Sequence, residues 1–86
     1  SVDYTDLPED VRQEMQRFMD ETIKWLTQVL KVGRKQQELE FTGKPGPKAL
    51  SILATLQGAR QMARIHGFDL LDDVIGQIRS ELNMGK

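Results

Sequence analysis

The stretch "ILATLQGARQMARIHGFDLLDD", Ile52 to Asp73, decides the fold. It reads as the body of one helix, a stop at Gly67 and a new helix start at Asp69. Gly58 lies inside the first of these helices, where glycine costs about 1 kcal/mol against alanine. The apolar residues around it fall on two sides of the helix. Ile52, Leu56, Ala59 and Ala63 form one stripe. Ala54, Gly58, Met62 and Ile65 form another, roughly 120–150° away. Gln57, Arg60, Gln61 and Arg64 make a polar strip between them. A helix that is apolar on two sides must be covered on two sides.

The third helix, starting with Asp69 as N-cap and with Asp72 and Asp73 in its first turn, is cleanly amphipathic. Leu70, Leu71, Val74, Ile75, Ile78 and Leu82 cover an arc of about 140°. Only Gly67 and Phe68 separate it from helix two, which makes a tight helical hairpin. Small residues at Ala54, Gly58, Ala59 and Ala63, matched by Gly76 and Ser80, let helix backbones approach closely. The pattern predicts that helices two and three bury against the same pair from a second chain, as an intersubunit four-helix bundle. The expected dimer interface is Ala54, Gly58, Ala59, Met62, Ile65, Val74, Ile75, Ile78 and Leu82. The alternative is close packing of these residues within one chain.

Upstream, "TDLPEDV" announces the first helix: Asp6 as N-cap, Glu9 completing a capping box and Pro8 in the first turn. Val11, Met15, Phe18, Met19, Ile23, Trp25, Leu26, Val29 and Leu30 then span an arc of roughly 160°. Acids gather at its start and bases at its end, which suits the helix dipole. Gly33 is the expected stop. Gly43, Pro45, Gly46 and Pro47 mark a loop. Leu39 and Phe41 alternate with polar residues there, in keeping with a brief extended piece. Pro47 is a suitable first-turn residue for helix two. The helices are therefore expected over about 8–33, 47–66 and 69–83, with no strand and no repeat, giving an all-α, three-helix domain.

Composition narrows the function. The chain has 86 residues and no cysteine. A domain of this size buries only about 60–65% of its unfolded surface, so a lone monomer is marginal and a staple is expected. Disulfides and thiolate metal sites are excluded, and the single histidine, His66, suits a helix C-terminus better than a metal cage. With oligomerisation left as the staple, the expected partner is a second copy, with no metal and no cofactor. The net charge is −1, which gives no drive toward nucleic acid. The basic cluster Lys31, Arg34, Lys35, Lys44 and Lys48 reads as solvated charge near a helix end. The longest nearly apolar run, "ALSILATL", is far short of the roughly 20 residues of a membrane span. With no signal peptide visible, the expected compartment is the cytoplasm. Catalysis is not expected: Ser1, Ser51 and Ser80 have no acid–base partner nearby in sequence, and "GKPGPK" lacks P-loop spacing.

The segments "LPEDVRQEMQRFMDETIKWLTQVLKVGRKQQELEF" and "ALSILATLQGARQMARIHGFDLLDDVIGQIRSEL" resemble the C-terminal regulatory domain of tetracycline-repressor-family (TetR-family) transcriptional regulators. Leu56, Gly58, Ala59, Ala63 and Gly67, followed by a last amphipathic helix, carry the likeness. The resemblance implies a homodimer built on its last two helices, a small-molecule effector, and DNA binding through an N-terminal helix-turn-helix domain. That domain is absent from this chain, so DNA enters only through it. Gln37 departs from a family glycine. Candidate ligand-pocket residues are Met15, Phe18, Met19 and Trp25, with methionines that adapt to irregular shapes. A methionine and aromatic stripe at helical spacing is more often plain core. The expected function is dimerisation and ligand sensing in a TetR-like repressor; a free-standing helical protein–protein interaction module is the alternative.

Overall fold

Three helices build the domain: α1 (Glu9–Lys35), α2 (Pro45–His66) and α3 (Asp69–Glu81), with a short 3-10 turn over Tyr4–Asp6 ahead of them. They come from a computed structural model that describes residues 3–83. Strand is absent among the described residues, so the all-α class stands.

The helix boundaries differ from the expected ones, each for a local reason. Asp6 does not cap α1. A residue before proline is pushed out of the helical region, and Leu7 is extended at φ −80°, ψ 150°. Asp6 therefore belongs to the preceding turn, where Asp3 is the N-cap and accepts from the Thr5 N–H at 3.2 Å. Pro8 occupies the N-cap of α1 without a side-chain bond. Glu9 turns to Arg12 and Gln13 instead of back to the cap.

Gly33 does not stop α1; it is buried inside the last turn. The stop is a Schellman motif four residues later. Gln37 takes φ +64°, the Glu38 N–H donates to the Gly33 carbonyl at 2.9 Å, and the Gln37 N–H donates to the Arg34 carbonyl at 3.1 Å. These bonds satisfy carbonyls that a helix end would leave free. Gly33 is needed for another reason. A Cβ there would lie 2.5 Å from Leu39 Cδ1 and 2.7 Å from Leu39 Cγ. Leu39 folds back onto the helix it has just left, and only a glycine makes room for it.

The loop that follows is held from both ends. The Arg34 guanidinium lies 4.2 Å from the Phe41 ring centroid and donates to the Gly43 carbonyl at 2.8 Å. The Glu40 N–H donates to the Leu82 carbonyl at 3.0 Å, and the Asn83 amide donates to the Glu40 carboxylate at 3.0 Å. The extended piece around Leu39 and Phe41 thus pairs with the end of α3, not with a strand. Helix α2 begins at Pro45, two residues earlier than expected, because both prolines fall in the first turn, where no intrahelical N–H bond is lost. Gly67, at φ +117°, ends it. Asp69 is the first helical residue of α3, with Phe68 at the N-cap. Helix α3 closes at Glu81, and Asn83 takes φ +56° beyond it.

Helix α2 is the spine: α1 and α3 each pack on it. Leu30, Ala49, Ile52 and Leu82 form the buried core, with Leu26, Leu39, Phe41, Leu56 and Ile78 around them. Ala59 and Ala63 are buried further along α2. The result is a slab of 44 × 30 × 16 Å with a radius of gyration of 15.2 Å. A compact chain of this length has a radius of gyration of roughly 12 Å. The accessible surface is 6995 Å², against roughly 5,200 Å² expected for a compact protein of this mass. The domain is one helix thick and leaves two faces open.

Candidate interaction faces

The second stripe of α2 forms the first open face. Ala54 and Gly58 are exposed, and Met62 and Ile65 are 57% and 93% accessible. A Cβ built on Gly58 would meet nothing within 4 Å. Ile75 of α3 is exposed and Val74 half-buried. Two expected interface residues sit elsewhere. Ala59 and Leu82, 3% and 5% accessible, belong to the chain's own core: Ala59 lies on a covered side of α2, and Leu82, the C-cap of α3, packs with Leu30, Ala49 and Ile52. Ile78 packs against the same core. Two exposed residues were missing from the expected set. Leu50 lies one helical turn before Ala54 on the open stripe, and Phe68 stands at the α2–α3 turn. Leu50 keeps the i, i+4 spacing of the stripe (50, 54, 58), and that spacing is the signal by which it could have been found.

The second open face is on α1. Met15, Phe18, Met19 and Trp25 are all exposed, Phe18 to 73% and Trp25 to 64%. None of them lines either of the two hollows described below. Helix α2 runs beside the C-terminal half of α1, where Leu26 and Leu30 meet the core, and no described residue covers this stripe. The candidate pocket residues thus stand on an open face among the described residues.

Two surface hollows lie away from it. One, of about 330 Å³, runs between α2 and α3 and is lined by residues including Ile52, Thr55, Val74 and Ile78. The other, of about 600 Å³, lies under the α1–α2 loop beside Phe41, Lys48, Glu81 and Asn83. Lys48, Ser51, Gln77 and Glu81 also line the first. Among the described residues no three metal-ligating side chains cluster. No helix there is long and apolar enough to cross a membrane. Two members of the basic cluster are engaged within the domain: Arg34 holds the loop, and the Lys48 ammonium lies 3.9 Å from the Glu81 carboxylate.

Comparison with known proteins agrees with this architecture. No family model matches the sequence, and no curated protein does. Among solved structures, the reduced form of E. coli NemR matches with a TM-score of 0.84 and 30% identity over 92% of this chain. The chain spans 43% of the NemR chain, less than half its length. NemR is a TetR-type regulator. The three helices described above thus have the fold of a helical segment of a TetR-like regulator.

Proposed function

We propose that this chain is the dimerisation and effector-sensing domain of a TetR-type transcriptional repressor, with DNA reading supplied by a separate helix-turn-helix domain. One observation carries the dimer: the stripe Leu50, Ala54, Gly58, Met62 and Ile65 stays open on a slab one helix thick. A stable dimer buries about 800 Å² per partner. The surface in excess of a compact chain, roughly 1,800 Å² by the scaling above, is ample for that. Exposed apolar area on this scale is a recognition surface or an aggregation liability. Gly58 and its small neighbours fit the first, since they let a partner helix approach closely. Likeness to NemR supports the regulator class.

In this reading the α2–α3 hairpins of two copies form a four-helix bundle. That bundle fixes the relation between two DNA-reading heads. The effector acts on α1, where Met15, Phe18, Met19 and Trp25 supply one wall of a pocket closed by another element. Binding there biases which relation the two copies adopt.

Sedimentation equilibrium of the chain tests the dimer. The wild type sediments as a dimer at micromolar concentration, and Met62→Glu and Ile65→Glu sediment as monomers with unchanged helical circular dichroism. A wild type that stays monomeric across that range overturns the reading and favours the free-standing interaction module.

A further inference from the structure

We propose that residues 39–43 form a strut that couples the C-terminal end of α1 to the C-terminal end of α3, so that a displacement of one is felt by the other. Helices α1 and α3 each pack on α2 but share no comparable face with each other. They come together at one end, where Leu30 and Leu82 belong to the same core cluster. The strut crosses that end, and its residues are fastened alternately to the two helices. Leu39 lies against Gly33 of α1, and its N–H donates to the Gly33 carbonyl at 3.1 Å. The Glu40 N–H donates to the Leu82 carbonyl at 3.0 Å, and the Glu40 carboxylate accepts from the Asn83 amide. Phe41 returns to α1: its ring centroid lies 4.2 Å from the Arg34 guanidinium, and its carbonyl accepts from Arg34 at 3.4 Å.

The alternation follows from extended backbone, in which successive side chains point to opposite sides. Leu39 and Phe41 serve one helix and Glu40 serves the other. Arg34 adds a second tie on the α1 side by donating to the Gly43 carbonyl at 2.8 Å. Beside the strut, the Lys48 ammonium of α2 lies 3.9 Å from the Glu81 carboxylate. The end of α3 is thus also held to the first turn of the helix into which the strut leads. With ties this short on both sides, moving the last turn of α1 either carries Glu40 along or breaks one of these bonds.

The consequence for pairing rests on the dimer reading above. In that reading the strut joins α1, which carries the effector residues, to α3, half of the paired hairpin. It lies at the far end of α2 from Met62, since from Ala49 to Met62 the helix rises about 20 Å. A change at α1 then reaches the paired face through the strut and α3, and pairing acts back on the strut by the same amount, because coupling between two sites is reciprocal.

Amide hydrogen exchange on the whole chain tests the strut. Arg34→Met removes the ties to Phe41 and Gly43 from the α1 side. Asn83→Gly removes the tie to Glu40 from the α3 side and keeps the positive φ without steric cost. In Arg34→Met the Glu40 and Leu82 amides exchange about tenfold faster, while Ala59 and Ala63 inside α2 are unchanged. In Asn83→Gly the Leu39 amide responds in the same way. Lys31→Met, which takes a charge from the same helix outside the strut, does neither. By sedimentation equilibrium both strut variants weaken the dimer about fivefold. Unchanged exchange at Glu40 and Leu82 in Arg34→Met overturns the proposal, and so does a rise spread evenly over all three helices, which marks general destabilisation. Faster exchange with an unchanged dissociation constant overturns the link to pairing. A monomeric wild type sinks the dimer reading, and the exchange pattern then decides the strut by itself.

Discussion

Gly58→Ala separates the interest of the lone chain from that of the assembly. Within one chain the substitution has only benefits. The new Cβ meets nothing within 4 Å, and the site lies inside α2 (Pro45–His66), more than two turns from either end. The helix gains the difference in intrinsic propensity, about 0.8–1 kcal/mol. For a domain of this size that raises the melting midpoint by about 4–8 °C. In a bundle where a partner backbone approaches Gly58, the same methyl is an intrusion. Overpacking costs typically 1–3 kcal/mol. A two-fold axis applies it twice, so even the low end, about 2 kcal/mol, weakens the dimer roughly thirtyfold. Circular-dichroism melts at concentrations below dissociation read the first effect, and sedimentation equilibrium reads the second. The expected outcome is a more stable monomer and a weaker dimer from a single methyl group. If alanine raises the midpoint and leaves the dissociation constant unchanged, no partner backbone comes near Gly58, and close approach at that position is refuted.

Two further changes probe the end of α1. Gln37→Gly relieves a left-handed conformation that costs a residue with a Cβ about 1–2 kcal/mol; after the greater unfolded-state freedom of glycine, a net gain of about 0.5–1 kcal/mol is expected in urea unfolding followed by circular dichroism, with Gln37→Ala near neutral. Gly33→Ala places a methyl on Leu39, and a net loss of about 1 kcal/mol is expected in the same assay once the propensity gain is subtracted, with Leu39→Ala in the same chain removing the clash.

Periodicity made the three helices legible, since each carries its apolar residues at helical spacing and the glycine–proline run between Gly43 and Pro47 interrupts it. What escaped were features set by a neighbour's position. Asp6 has the chemistry of a cap, but the steric demand of Pro8 on Leu7 removes it from the helix. Gly33 has the chemistry of a stop, yet its reason is Leu39, a contact made only after the chain has turned. Ala59 was expected at the dimer interface although it lies on the stripe with Ile52 and Ala63, because a helical wheel does not say on which side the next helix lies. The broad apolar arc of α1 hid a finer pattern: it is the sum of one stripe toward α2 and another, at seven-residue spacing, toward solvent. The candidate pocket residues Met15, Phe18 and Trp25 belong to that second stripe.

The thinness of the slab ties these points together. Leu30 is the only large side chain among the described residues that is almost wholly buried, and the rest of the core is alanine, Ile52 and Leu82. Such a core contributes little beyond what the ordering of the backbone consumes. Anything that binds the folded slab and not the unfolded chain therefore makes up a large share of its stability. A domain built this way has few internal contacts holding one arrangement rigidly against another. Both open faces border α2, on which α1 and α3 pack. On the reading proposed above, this suits a regulator whose output is the relative placement of two copies, because α2 is the helix on which both others pack.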